Sequence, residues 1–253
     1  MIVSVISGKG GTGKTFVATN LMLAIDNKAK LQFLDCDVEE PNAHLFLKPE
    51  FNTSRPVTIP VPKIDEEKCT FCGLCAETCA FNALLVAKTS VLVFEQLCHG
   101  CGGCSYFCPE QAVSEVSRPI GILETGYAGD INFVHGRLEP GEALSPPLIE
   151  AVKNKIDPTC LTIIDAPPGA SCSVVETVKG SNYCLLVTEP TPFGLNDLIL
   201  AVELIKIIGI PAGVIINRYL DSSDNQSIEQ YCRREGLPVL LKIPFDRELA
   251  ACY

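Results

Sequence analysis

Eight cysteines in this sequence form two groups with the same spacing. Each group reads C-x2-C-x2-C-x3-C; the members are Cys69, Cys72, Cys75 and Cys79 in the first and Cys98, Cys101, Cys104 and Cys108 in the second. Thiolates are soft ligands that bind iron and zinc in proteins. Three thiolates on one tight loop can bind three irons of a [4Fe-4S] cube, while the fourth iron needs a ligand from farther away. The spacing therefore predicts iron–sulfur chemistry.

The cysteine-rich segment resembles a bacterial two-cluster ferredoxin over nearly all its length, and Pro109 completes the second run as in that motif. In such ferredoxins the fourth cysteine of each run serves the other cluster. The resemblance implies two [4Fe-4S] clusters, one on Cys69, Cys72, Cys75 and Cys108 and the other on Cys98, Cys101, Cys104 and Cys79. One alternative is tetrahedral zinc, which uses pairs of C-x2-C instead. Another is that the clusters only stabilise a small segment.

A glycine-rich loop near the start of the sequence has the composition of a phosphate-binding site. It follows a short β-branched run, precedes a helical pattern, and consists of Gly8, Lys9, Gly10, Gly11, Thr12, Gly13, Lys14 and Thr15. Glycines let backbone N–H groups turn toward a phosphate, Lys14 can reach its oxygens, and the Thr15 hydroxyl can hold Mg²⁺. The loop predicts binding of ATP or ADP with Mg²⁺.

Two aspartate-containing segments follow predicted strands farther along the chain. LDCDVEEPN contains Asp35 and Asp37, and IIDAPPG contains Asp165 and Gly169. Carboxylates at the C-terminal ends of strands are suited to a Mg²⁺ shell, and the Gly169 amide can donate to a γ-phosphate. The alternative is that each aspartate is a helix-cap or turn residue. Their order after the glycine-rich loop favours the nucleotide site.

The loop KGGTGKT resembles the deviant Walker A loop of the MinD/ParA class of P-loop ATPases. In that family the early lysine, here Lys9, crosses a dimer interface to the partner's nucleotide. The resemblance implies a homodimer with ATP between the protomers and catalytic roles for Lys9, Lys14 and Asp37. It places Asp37 at the attacking water and Asp35 near the metal, and it matches Asn217 to the position that reads the adenine edge. The alternatives are a solvated loop lysine and a turn-forming asparagine.

Short β-branched runs alternate with helix-like segments along most of the chain. Strands are predicted at 2–6, 30–34, 132–134, 161–164, 183–187, 212–216 and 239–242, and helices at 13–26, 148–155, 173–179, 194–208 and 227–235. This pattern predicts an α/β fold with a mostly parallel P-loop NTPase sheet and helices on both faces. Prolines at 56, 60 and 62 and the cysteine repeat predict an inserted α+β dicluster ferredoxin domain at 60–117. The ATPase domain then comprises 1–59 and 118–253.

Charge and composition restrict the partners. The sequence has 20 Lys+Arg and 30 Asp+Glu, a formal charge of −10, which argues against binding to nucleic acid or an anionic membrane. We expect a cytoplasmic protein, because no secretory leader is evident. Relatives continue past this point with a terminal helix, to which MinD adds an amphipathic membrane anchor, and we expect neither after IPFDRELA. Six cysteines remain, namely Cys36, Cys160, Cys172, Cys184, Cys232 and Cys252. Most of them are predicted to be buried apolar residues.

The combined motifs lead to one main functional hypothesis and two alternatives. The main hypothesis is a dimeric ATP-hydrolysing switch protein that couples its nucleotide state to electron transfer to a partner metalloprotein. The first alternative is an ATP-dependent scaffold or carrier that assembles or delivers Fe-S or other metal clusters. The second alternative is a spatial-positioning ATPase with structural clusters, which the missing membrane anchor and the acidic charge disfavour.

Overall fold

The computed structural model describes residues 1–25, 29–219 and 223–248. Within them, nine strands form one sheet: β1 Ile2–Ile6, β2 Leu31–Asp35, β3 Glu50–Ile64, β6 Val113–Ala128, β7 Ile131–Leu138, β8 Leu161–Asp165, β9 Tyr183–Thr188, β10 Ala212–Tyr219 and β11 Val239–Pro244. Their order is β11-β10-β9-β1-β8-β2-β7-β6-β3. Strands β4 Leu84–Val86 and β5 Val91–Val93 form a separate ribbon. Adjacent strands from β11 to β7 are parallel, so the predicted mostly parallel sheet is confirmed.

Helices lie on both faces of the main sheet. They are α1 Lys14–Ala24, α2 Ala43–Leu47, α5 Pro146–Lys153, α6 Cys172–Val178, α7 Pro192–Ile208 and α8 Ser223–Glu235, while the short helices α3 Leu74–Glu77 and α4 Gly103–Tyr106 lie in the part of the chain between β3 and β6. Met22 of α1 packs with Val5 and Phe33 in one buried cluster, and Leu198 of α7 packs with Ile6 in another. Because successive side chains of a strand point to opposite faces, β1 contributes to both clusters. None of the helices in the described ranges combines the length and the apolar character that a membrane span requires.

The seven strands predicted from the sequence are present, with ends that differ by a few residues. β2 and β8 end on Asp35 and Asp165, so both carboxylates lie at the carboxyl edge of the sheet as predicted. The predicted end of the first helix at Asp26 lies outside the described residues, and the structure has α1 ending at Ala24. Central strands are predicted well because burial on both faces leaves a continuous apolar run in the sequence.

The sequence pattern does not predict β3 and β6, the two longest strands. They pair antiparallel from Glu50 opposite Tyr127 to Ile64 opposite Val113. The prolines at 56, 60 and 62 lie inside β3 rather than before a domain. A proline lacks the N–H that a strand donates, but β3 is at the edge of the sheet, where a proline is tolerated. The pair therefore extends from the main sheet to the cysteine-rich segment, residues 65–112.

The two cysteine repeats have the same backbone conformation. Left-handed φ angles occur at equivalent positions of both repeats, namely Phe71 and Gly100, Gly73 and Gly102, and Asn82 and Gln111. In each repeat a short helix begins directly after the second of these positions. Helix α3 follows Gly73, and helix α4 follows Gly102. The structural repeat agrees with the repeat in the sequence, although Phe71 is not a glycine and adopts φ = +54°.

Candidate functional site

The glycine-rich loop connects β1 to α1 at the carboxyl edge of the sheet. Gly13 has φ = +88° at the start of α1, a conformation that favours glycine. A Cβ at this position would lie 2.2 Å from Nδ2 of Asn217. Gly10 and Gly11 have open space where a Cβ would project. The loop thus packs closely on the protein at Gly13 and is open at its centre, where a phosphate must approach.

Lys14 is the buried cation of the site. Its Nζ lies 2.7 Å from Oδ1 of Asp165 and 3.4 Å from Oδ2 of Asp37. Thr15 Oγ1 donates to the other carboxylate oxygen of Asp165 at 2.6 Å. Burial lowers the pKa of Lys14, but Asp165 and Asp37 outweigh it, and the pKa is raised above its ordinary value. Lys14 is therefore charged, and the predicted Mg²⁺ residues Thr15 and Asp165 are in direct contact.

Asp35 is fully buried and orders the segment that follows it. Its Oδ1 accepts the amide of Asp37, and its Oδ2 accepts the amides of Asn42 and Ala43 at the start of α2. Burial, followed by the Asp165 carboxylate, raises the pKa of Asp35 to about 8, while Lys14 opposes this rise. Asp35 lies among the charged groups around Lys14, and its oxygens bind backbone amides.

Asp37 is more accessible than Asp35, with a side chain that is 13% exposed. Burial raises its pKa to about 6, against the opposing effect of Lys14. A carboxylate with this pKa is largely ionised at neutral pH and can accept a proton from a water molecule. These properties fit the role predicted for Asp37 at the attacking water.

The raised pKa of Asp37 predicts a pH limb for ATP hydrolysis. In the role predicted for Asp37, the ionised carboxylate is the active form, so kcat/KM for ATP should rise with pH up to about 6 and then level off. At one pH unit below this pKa, we expect kcat/KM to be about tenfold lower than its plateau value. Steady-state assays of wild type and Asp37→Asn test this; the asparagine variant should be slow and lack the limb. The same limb in both proteins would contradict the assignment.

Three groups around the loop show how it can receive a nucleotide. The Thr12 hydroxyl is buried and has no hydrogen-bond partner in the described structure. Asn217 donates through Nδ2 to the Thr12 carbonyl at 2.7 Å, and its Oδ1 accepts the Arg218 amide. The amide of Gly169 donates to the Ser7 carbonyl at 2.9 Å. Asn217 and Gly169 thus both lie at the loop. The Gly169 amide has one N–H and must release Ser7 to bind a phosphate, whereas the Asn217 amide has a second N–H for a nucleotide.

Lys9 forms an ion pair that the sequence does not predict. Its Nζ lies 2.5 Å from Oε1 of Glu189, and Nη1 of Arg218 lies 3.0 Å from the other oxygen. Glu189 follows β9 directly, at the same edge of the sheet as Asp35 and Asp165. That position is the only sequence signal for Glu189, and it gives no indication of the contact with Lys9.

The eight motif cysteines line two separate pockets. The distal pocket contains Cys69, Cys72, Cys75 and Cys108, and the proximal pocket contains Cys79, Cys98, Cys101 and Cys104. Each pocket therefore combines three cysteines of one repeat with the fourth cysteine of the other, which is the grouping that the ferredoxin resemblance implies. In the described part of the chain, no three His, Cys, Asp or Glu side chains form a group that could hold one metal ion. Ligands of a four-iron cube bind different irons and need not meet at one point.

Backbone amides point at sulfur atoms in both repeats. The amides of Phe71 and Gly100 lie 3.4 Å from Sγ of the first cysteine of their repeats, Cys69 and Cys98. The amides of Ala83 and Ala112 lie 3.3 Å from Sγ of the last, Cys79 and Cys108. Such N–H donors stabilise thiolates and tune the metal centre that they bind. The main chain in both repeats is thus arranged around these four sulfur atoms.

The pockets are named by their distance from the main sheet along the paired strands β3 and β6. Gly121 of β6 pairs with both Val57 of β3 and Leu138 of β7, and beyond it β6 pairs with β3 alone. Pro60 and Pro62 line the proximal pocket, whereas Ile64 and Val113, at the end of the pair, line the distal pocket. The proximal pocket is therefore closer to the main sheet.

One hydrophobic cluster connects the proximal pocket with the nucleotide site. Cys36 and Val38, which flank Asp37, share it with Ile59 of β3 and Cys98 of the pocket. The Leu138 amide also donates to the Val38 carbonyl at 2.9 Å. The residues on either side of Asp37 therefore belong to the same apolar cluster as Cys98 of the proximal pocket.

The remaining cysteines divide as follows. Four are buried, as predicted, and these are Cys36, Cys160, Cys184 and Cys232. Cys172 is exposed at the start of α6, and Cys252 lies outside the described residues. Burial raises the pKa of the Cys184 thiol to about 12 and that of Cys232 to about 11, so both are neutral near pH 7. These two cysteines act as small apolar residues of the core.

Comparisons with known proteins agree with this geometry. A family model described as the CobQ/CobB/MinD/ParA nucleotide binding domain matches residues 3–253. Uncharacterized protein MJ0579 of Methanocaldococcus jannaschii is 30% identical over 257 residues, which span 100% of this chain and 89% of that protein. The septum site-determining protein MinD from Pyrococcus horikoshii OT3, solved with Mg-ADP, superposes with a TM-score of 0.55 at 20% identity. That superposition covers 97% of this chain and 82% of MinD, and it shows a common fold.

A further similarity covers only part of the chain. An Arabidopsis thaliana mitochondrial protein, described as an iron-sulfur protein required for NADH dehydrogenase, is 39% identical over 82 residues. The match spans 30% of this chain and 26% of the plant protein.

Proposed function

Because this chain belongs to the CobQ/CobB/MinD/ParA family of nucleotide-binding proteins, we propose that it is a dimeric, ATP-hydrolysing switch protein with two [4Fe-4S] clusters. Its nucleotide state would control electron transfer to a partner metalloprotein. The observation that carries the proposal is the grouping of eight cysteines into two pockets of four, one of which packs on the nucleotide site through a continuous apolar cluster.

The nucleotide site supplies the groups that ATP hydrolysis needs. Loop amides and Lys14 bind the phosphates, and Asp37 orients the attacking water and accepts its proton. Thr15 and Asp165 would hold Mg²⁺, which neutralises phosphate charge when bound. In a dimer, Lys9 of each protomer would contact the nucleotide of its partner, and hydrolysis of the terminal phosphate would release that contact.

The two pockets fit [4Fe-4S] clusters in number and type of ligand. Each offers four thiols, and amide donors reach two of the sulfur atoms around each pocket. Such clusters carry single electrons when bound. On this basis, residues 60–117 form a ferredoxin domain inserted into an ATPase domain of residues 1–59 and 118–253.

The charge of the cysteine-rich segment indicates the kind of partner. Residues 65–112 contain six acidic side chains and two basic ones, and thiolate-ligated clusters add further negative charge. A redox partner with a basic docking face would associate quickly with this segment. Its association rate should fall as salt is added.

Redox titration tests the coupling. The reconstituted protein is reduced stepwise under EPR with Mg-ADP and then with Mg-AMP-PNP. Coupling of about 1–2 kcal/mol would shift one midpoint potential by about 40–90 mV between the two nucleotides. The Lys14→Ala variant, loaded with the same clusters, should show no nucleotide-dependent shift. Equal potentials and equal electron-transfer rates of the wild type in both states would contradict the proposal.

A specific observation also supports the carrier alternative. Cys72 of the distal pocket and Cys101 of the proximal pocket are exposed to solvent, and an exposed thiol can be reached by an acceptor protein. A carrier would pass its iron and sulfide intact to an apo-ferredoxin on ATP hydrolysis. An electron carrier would keep them through repeated cycles of reduction, so iron analysis of both proteins after mixing separates the two functions.

A further inference from the structure

Lys9 is held within its own chain by a carboxylate that is not part of the Lys14 network. Glu189 contacts Lys9 through one oxygen and Arg218 through the other, at 2.5 and 3.0 Å. The Glu189 side chain is only 12% exposed, whereas Lys9 is 34% exposed. The buried partner of the pair is therefore the carboxylate, and the more accessible partner is the lysine.

The arrangement allows Lys9 to leave. A guanidinium can bind both oxygens of a carboxylate at once, so Arg218 can take over the oxygen that Lys9 releases. Glu189 would then remain neutralised although it is mostly buried. An ion pair with such a replacement cation is exchangeable, unlike a buried pair whose rupture leaves a charge alone.

We propose that Glu189 is a positioning residue that holds Lys9 in its own protomer and thereby sets the threshold at which two protomers close around ATP. This inference rests on the proposed ATP-dependent dimer. While Lys9 is paired with Glu189, its amine is unavailable to the phosphates bound by a partner. Both protomers of a symmetric dimer must release their lysine, so the effect of the pair counts twice in the dimerisation constant.

The Glu189→Gln variant tests the proposal. A partly exposed ion pair contributes up to about 1 kcal/mol, or about fivefold. Two released pairs should lower the dimer dissociation constant of Glu189→Gln by up to about 25-fold, measured by sedimentation velocity with Mg-AMP-PNP. Glu203→Gln, on the exposed side of α7, removes an equal charge and should leave the constant unchanged. An unchanged or weaker dimer for Glu189→Gln would overturn the proposal.

A double variant shows whether the effect passes through Lys9. In the Lys9→Ala background, the gain from Glu189→Gln should disappear because no lysine remains to be released. An equal gain in that background would overturn the proposal and leave ATP-dependent dimerisation intact. If neither wild type nor Glu189→Gln forms dimers with Mg-AMP-PNP, that result contradicts both the proposed dimeric switch and the role of Glu189. If Glu189→Gln forms dimers under conditions in which the wild type does not, the positioning role is strongly supported.

Discussion

The Lys14→Ala variant is expected to lose ATP hydrolysis almost completely, by at least about 10²-fold in kcat/KM. Lys14 is the buried cation nearest to both Asp37 and Asp165. Without it, an incoming phosphate meets only carboxylates at this point of the site, and their repulsion weakens both binding and transition-state stabilisation. Phosphate release and binding of a fluorescent ATP analogue measure the two losses.

A folding measurement and a control variant distinguish this loss from unfolding. The carboxylates near Lys14 can take up protons when the cation is removed, because burial already raises the pKa of Asp37 and Asp35. Lys14→Ala should therefore fold at pH 6, which circular dichroism can check. Lys206→Ala removes a lysine of α7 that forms an exposed ion pair with Glu235 of α8, and this variant should hydrolyse ATP as the wild type does. Wild-type turnover by Lys14→Ala would refute the nucleotide site.

The second large effect is expected for iron content when paired cysteines are removed. Cys79→Ala with Cys104→Ala takes one cysteine from each repeat, but both line the proximal pocket. Cys79→Ala with Cys75→Ala takes both from the first repeat, and these line different pockets. After anaerobic reconstitution, the first pair should keep about half the iron and sulfide, and the second pair should lose most of both.

This comparison is matched, because Cys75 and Cys104 occupy the same position of the two repeats. If each repeat held its own cluster, the two results would be exchanged. Equal losses for the two pairs would contradict separate sites. Cys184→Ala, a buried cysteine outside both pockets, should retain full iron and serves as the control for folding. EPR of the reduced proteins then shows whether the surviving signal comes from one cluster.

Much of the nucleotide site could be predicted from the sequence because its determinants are local. A strand, a glycine-rich turn and a helix that follow one another fix the phosphate loop, and a buried strand fixes the place of the aspartate at its end. Asp35 and Asp165 therefore lie where the sequence predicted. The order of residues alone did not reveal that Asp35 uses its oxygens to bind backbone amides.

The sequence by itself determined the phosphate loop, the parallel strands and the two cysteine runs, since each depends on residues close together in the chain. The tertiary structure decided the length of β3 and β6, the pairing of Lys9 with Glu189, and the apolar cluster that includes both Cys98 and Val38. The partners in these contacts are separated by tens of residues or more. Such contacts depend on how the strands pair and how the helices pack, and periodicity within one segment carries no record of either.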